Sequence, residues 1–104
     1  MKIYNDIQGE IKNAVLSVDE NAEVILFGSR ARGDYKEDSD WDVLVLTKKD
    51  EDDFSSKRLI RDALYELELS SGEIITSIIR SKIFWNRLRS TPLYWEVQKD
   101  GKPL

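Results

Sequence analysis

Two short groups of residues could do chemistry together. Gly28-Ser29 ends an apolar run, and Asp40-Trp41-Asp42 opens the next, with ten residues between them. Side chains at i and i+2 of a strand share a face and stand roughly 6.6 Å apart. Carboxylates converging from Asp40 and Asp42 could share one Mg²⁺ at bonds of ~2.1 Å, or bridge two ions, while Trp41 turns to the opposite face. Gly28-Ser29 suits a phosphate. The start of a helical turn presents unpaired N–H groups with a partial positive charge of about half a unit, glycine lets a ligand approach the backbone, and Ser29 adds a hydroxyl. Each group alone has an ordinary explanation, a capped turn or an acidic strand edge. Together they set a phosphate cradle beside a metal clamp, the two parts a triphosphate needs.

The intervening residues add Gly33, where the backbone can bend, and two arginines. Arg30 adjoins Ser29 and is the stronger candidate to neutralise phosphate charge. Arg32 fits that role and the alternative, an exposed residue paired to an acid such as Glu37 or Asp38, about equally.

Composition narrows the chemistry. The 104 residues include no His and no Cys. Histidine- and thiol-based catalysis, disulfides and zinc–thiolate sites are therefore excluded, and a metal must rest on oxygen ligands, which points to Mg²⁺, Mn²⁺ or Ca²⁺. The net charge of −4 argues against general nucleic-acid binding. Acids crowd the first half of the chain: residues 1–53 hold 14 of the 20. Uncharged runs such as Val24–Ser29 reach only about six residues, far below the ~20 that span a membrane. The opening residues carry acids early and lack an apolar signal core, so the expected location is the cytoplasm.

The elements that must position these residues follow from periodicity. Ile3, Ile7, Ile11 and Val15 predict an amphipathic helix over the first 18 residues. Glu23–Phe27 and Asp40–Leu46 read as strands, nearly continuous in apolar residues as buried strands are. Leu59, Ile60, Ala63, Leu64 and Leu67 predict a long helix over Asp53–Ser70, with Gly72 in the connection after it. Glu73–Ile79 predicts a third strand and Ser81–Arg89 a helix. Thr91-Pro92 is an N-cap followed by proline at the first helical position of the last helix, and Gly101 suits its stop. The expectation is an α+β fold in one domain over residues 1–104, a small mixed three-stranded sheet with helices packed on one face and the other face open.

The stretch GSRARGDYKEDSDWDVLVL resembles the signature of polymerase-beta-like nucleotidyltransferases, in particular the minimal nucleotidyltransferases of bacteria and archaea. The resemblance covers Val24–Leu46 strongly and the remainder softly. It implies a palm-like sheet and a nucleoside triphosphate substrate, ATP by analogy with the family. It also implies two divalent ions, Mg²⁺ or Mn²⁺, held by Asp40 and Asp42 as the catalytic acids. Gly28 and Ser29 would contact the triphosphate, with Arg30 and Gly33 beside them. Active members place a third carboxylate on the adjacent strand. The matching positions here, Thr76 or Ser77, are neutral, and Glu73 could serve only if the alignment slips by three residues.

Two functions follow from the resemblance. One is transfer of AMP to a hydroxyl of a partner protein, as the antitoxin of a HEPN-domain toxin. A small domain with no acceptor-binding subdomain of its own fits that role. The other is a binding module of the same fold that inhibits or scaffolds a partner by contact, through an apolar patch around Trp85, Leu93 and Trp95.

Overall fold

A computed structural model describes residues 6–104. In chain order its elements are α1 (Ile7–Leu16), β1 (Glu23–Phe27), α2 (Ser29–Arg32), β2 (Trp41–Thr47), α3 (Phe54–Ser71), β3 (Ile75–Ser81), α4 (Lys82–Asn86), α5 (Pro92–Asp100) and β4 (Lys102–Pro103). The sheet order is β3-β2-β1-β4. β1 runs antiparallel to β2 and β4, and β2 runs parallel to β3. The parallel pair needs a long crossover, which α3 supplies.

Local chemistry sets the element ends. Asp53 caps α3 by accepting the Ser56 N–H at 3.1 Å, and Gly72, at φ 76°, ends it. Thr91 and Pro92 start α5 as expected, with the Thr91 side chain accepting the Tyr94 N–H. Asp6 caps α1 in the same way, accepting from Gly9.

β2 is apolar on both faces, and so two cores form. On one face Val43 and Val45 pack with Ile11 and Val15 of α1 and Ile60 and Leu64 of α3. On the other, Leu44 and Leu46 pack with Phe27, Trp85 of α4 and Val97 of α5. Strand alternation puts Trp41 with the first core and Asp42 on the second face.

The mixed α+β class is as expected, and several details differ. The sheet has a fourth strand: Lys102 and Pro103 pair with Leu26 and Ile25, a two-residue segment too short to show a period. The second face is not left open, because α4 and α5 cover Leu44 and Leu46. The third strand keeps its expected length but lies two residues later than periodicity placed it, and the helix after it is shorter. The first helix stops at Leu16, and the expected contribution of Ile3 lies outside the described residues. Trp85 is buried, so it cannot form an exposed patch with Leu93 and Trp95. Among the described residues no helix is long and apolar enough to cross a membrane.

Candidate active site

The antiparallel register of β1 and β2 joins the two chemical groups. Phe27 pairs with Asp42, so the chain leaves β1 at Gly28 directly beside that acid. Gly28 has φ 77°, a backbone conformation that favours glycine. It also has no room for a side chain: a Cβ there would lie 2.3 Å from Asp42 Oδ2. The single turn α2 starts at this glycine, and the Ala31 and Arg32 N–H groups both donate to the Gly28 carbonyl. The amides of Ser29 and Arg30 precede the first of these bonds, and no backbone acceptor takes them among the described residues. Gly33 closes the turn at φ 91°, donating its N–H to the Ser29 carbonyl at 2.9 Å.

The acids share one environment. Asp42 is partly buried, and its pKa is raised, first by burial and then by the charges of Asp40 and Glu96, with Arg32 opposing. Two like charges held together, one partly desolvated, favour a cation between them. Asp40 is exposed and accepts the Thr76 hydroxyl at 3.3 Å. Thr76 also stands across from Asp42 in the parallel register of β2 and β3. Of the two positions expected to match a third carboxylate, Thr76 touches the acid pair with a hydroxyl, and Ser77 stands across from Val43 instead.

Glu73 does not join this pair. Its Oε1 accepts the Trp41 indole N–H at 2.9 Å and lies 3.8 Å from Arg30. Trp41 packs with the α1–α3 core, so Glu73 serves the opposite side of the strand from Asp40 and Asp42. Among the described residues no three acids stand close enough to hold a metal. Two carboxylates nevertheless suit Mg²⁺, which usually takes one or two from the protein and fills its shell with water and substrate phosphate.

The two arginines divide differently from their order in the sequence. Arg30 lies between the rings of Tyr35 and Trp41, 4.4 and 4.3 Å from their centroids. Its guanidinium donates to the carbonyls of Glu37 and Ser39, and its side chain is only 8% exposed. Arg30 therefore ties down the loop that leads into Asp40. Arg32 is on the Asp42 side, held by Asp34 at 3.3 Å and Asp100 at 3.6 Å. The hydrogen bond that Arg32 donates to Asp34 is the main reason its pKa is raised. Sequence reasoning missed Asp34, Glu96 and Asp100, which carry no local motif, and Tyr35, whose ring packs on a residue of the preceding turn. A cavity of about 500 Å³ opens at the other end of β2, near Lys48, Lys82 and Phe84, and neither Asp40 nor Asp42 lines it. Asp40 is exposed and Asp42 half-buried beside it.

Comparison with known proteins shows the family and the fold. The nucleotidyltransferase domain family matches residues 9–94. Two Methanocaldococcus jannaschii proteins are similar, each named "Putative protein adenylyltransferase". MJ0604 is 34% identical over 82 residues, 79% of this chain and 76% of its own. MJ0141 is 34% identical over 98 residues, 92% of this chain and 93% of its own. Two solved structures share the fold. One is a toxin–antitoxin with AMP-PNP, at TM-score 0.62 and 20% identity over 92% of this chain and 70% of that one. The other is a mutant of the toxin–antitoxin MntA-HpeT, at TM-score 0.56 and 22% identity over 97% of this chain and 72% of that one. With the family matched over most of its length and the acid pair packed on the glycine turn, this chain belongs to the nucleotidyltransferase domain family.

Proposed function

We propose that this chain transfers AMP from ATP to a hydroxyl group of a partner protein. The observation that carries the reading is the packing of the Asp42 carboxylate on the Gly28 backbone, which sets acids and phosphate-binding amides at one point. In the reaction the acceptor oxygen forms a bond to the α-phosphorus, and the bond to the departing pyrophosphate breaks. The Ser29 hydroxyl and the first amides of α2 hold outer phosphate oxygens. Asp40 and Asp42 would hold divalent metal, Mg²⁺ or Mn²⁺. When bound, the ions neutralise phosphate charge and lower the pKa of the attacking hydroxyl. Thr76 orients Asp40 through its hydrogen bond. Arg32, on the Asp42 side of the turn, balances phosphate charge, whereas Arg30 keeps the loop before Asp40 in place.

The names of the relatives support adenylyl transfer to protein, and the toxin–antitoxin neighbour with AMP-PNP supports a nucleotide and a protein partner. The exposure of Asp40 allows a large acceptor to reach the acid pair. We assign the partner to the HEPN-domain toxins, with this chain as antitoxin, on the family resemblance. One observation favours a second reading, a module that acts by contact alone: the residue of β3 that touches the acid pair is Thr76, which is neutral. The test is transfer of label from α-labelled ATP with Mg²⁺, with and without the partner, for wild type and Asp42→Asn. Label on the partner that Asp42→Asn abolishes supports transfer. Tight partner binding with no label moved by wild type supports the contact module.

A further inference from the structure

The cavity of about 500 Å³ at the far end of β2 takes no part in the reaction proposed above. One wall is the connection that follows β2, from Thr47 to Glu51, and the other is the start of α4, from Ser81 to Arg87. Thr47 and Ser81 are paired in the parallel register and join the two walls. Both are buried, and each fixes the wall it begins. The Thr47 hydroxyl donates to Asp19 at 2.7 Å and accepts the Lys49 N–H at 3.0 Å. Ser81 donates its N–H to Glu51 at 2.8 Å, and its hydroxyl accepts the Phe84 N–H at 3.0 Å. Bonds within the protein therefore hold both walls in place, as a preformed ligand cavity requires.

Charge sets this cavity apart from the rest of an acidic chain. Lys48, Lys49, Lys82 and Arg87 line it together with Asp50 and Glu51. Glu51 is already answered by Lys57 at 3.1 Å and Arg80 at 3.8 Å, and Lys82 is answered by Glu23. Among the described residues no ion pair engages Lys48, Lys49, Arg87 or Asp50. Three cations thus stand against one acid, in a protein whose net charge is −4. A concave site with an excess of one sign concentrates ions of the other. The same cavity offers apolar surface: Ile83 is 70% exposed, and Phe84 is half-buried beside it. An inorganic anion would leave that surface in water, and an uncharged apolar ligand would leave the cations unanswered. The volume lies within the range of small-molecule sites, roughly 300–1,000 Å³.

We infer that this cavity binds a small anion with an apolar, ring-bearing body, its rings against Phe84 and Ile83 and its carboxylate or phosphate group toward Lys48, Lys49 and Arg87. The planar guanidinium of Arg87 can meet either group with two parallel hydrogen bonds. Thr47 is at the opposite end of β2 from Asp42, roughly 16 Å along the strand, so this site is separate from the acid pair.

The test is titration of the full chain with naphthylacetate and with naphthyl phosphate, followed by amide NMR. At least one should shift the signals of residues 47–51 and 81–87 with a Kd of about 100 µM, and the tighter of the two identifies the anionic group. Naphthylmethanol has the rings without the charge, and inorganic phosphate the charge without the rings. Each should bind at least about tenfold more weakly. Lys48→Glu combined with Arg87→Glu should weaken the tighter anion about tenfold or more, and Ile83→Asp should do the same. All three positions are exposed, so the circular dichroism should not change. No binding by either anion at about 1 mM, shifts centred elsewhere, variants that bind like wild type, or equal binding of the alcohol or of inorganic phosphate would overturn the inference. None of these variants touches the acid pair or the glycine turn, so the result does not depend on whether the chain transfers AMP.

Discussion

The carboxylate of Asp42 occupies the space a side chain on residue 28 would need: Oδ2 lies 2.3 Å from where a Cβ on Gly28 would sit. The left-handed backbone of Gly28 and the close approach of Asp42 are thus two requirements on one residue. Gly28→Ala must both strain φ and displace the acid. We expect a loss of about 2 kcal/mol in stability, seen as a fall of about 10 °C in melting temperature, together with loss of label transfer. An alanine variant that melts and transfers like wild type would contradict this packing.

Asp42 makes apo stability depend on pH. Its folded pKa is raised, chiefly by burial, so the folded state holds a proton more tightly than the unfolded chain does. The stabilisation this gives is present below the unfolded value, near 3.8, and is lost as pH rises through the folded value. Asp42→Asn keeps the shape and removes the charge. The apo variant should melt above wild type at pH 7, with the gap closing as pH falls through the folded value and closed below about 3.8. Adding Mg²⁺ should stabilise wild type and leave the variant unmoved. Melting curves across pH, with and without Mg²⁺, check both parts.

Arg30 and Arg32 should separate stability from substrate binding. Arg30→Ala removes a buried stack and hydrogen bonds to two loop carbonyls, at a cost of about 2 kcal/mol. Arg32→Ala removes a partly exposed group, and denaturant midpoints should stay near wild type. Its effect should appear as a KM for ATP raised by about tenfold. An Arg32 variant with unchanged KM would remove that arginine from the phosphate site.

Thr76 and Glu73 test where a third acid belongs. Thr76 contacts Asp40 and stands across from Asp42, so Thr76→Asp should tighten Mn²⁺ binding by about tenfold and lower apo stability through added repulsion. Glu73→Gln should leave Mn²⁺ affinity unchanged, since that carboxylate is bonded to Trp41 on the other side of the strand. Calorimetric titration with Mn²⁺ distinguishes the two. Weaker binding in Glu73→Gln would return Glu73 to the metal site.

Much of the fold was legible because its signals are local. The apolar runs at Val24–Phe27 and Val43–Leu46, the stripe from Ile60 to Leu67, and the cap Thr91 each depend on neighbours a few residues away. The meeting of Gly28-Ser29 with Asp40 and Asp42 was legible for a related reason: consecutive strands pair, and their spacing limits the register. The ends of the sheet were not. β4 is two residues long and exists only because α5 returns the chain to β1, while α4 and α5 close a face that alternation alone cannot show to be covered.

Taken alone, the amino-acid sequence determined which side chains could do chemistry, that a metal must bind oxygen, and that one strand would carry both acids beside the strand that ends at the glycine turn. The tertiary structure decided which partners those side chains have. It turned Arg30 inward between two rings, brought Asp100 to Arg32, and set Glu73 behind the sheet and Thr76 in front of it. The physical reason is that a side chain's charge and reach are local properties. The face it occupies and the distant groups that satisfy it arise only when strand register and helix packing bring remote segments together.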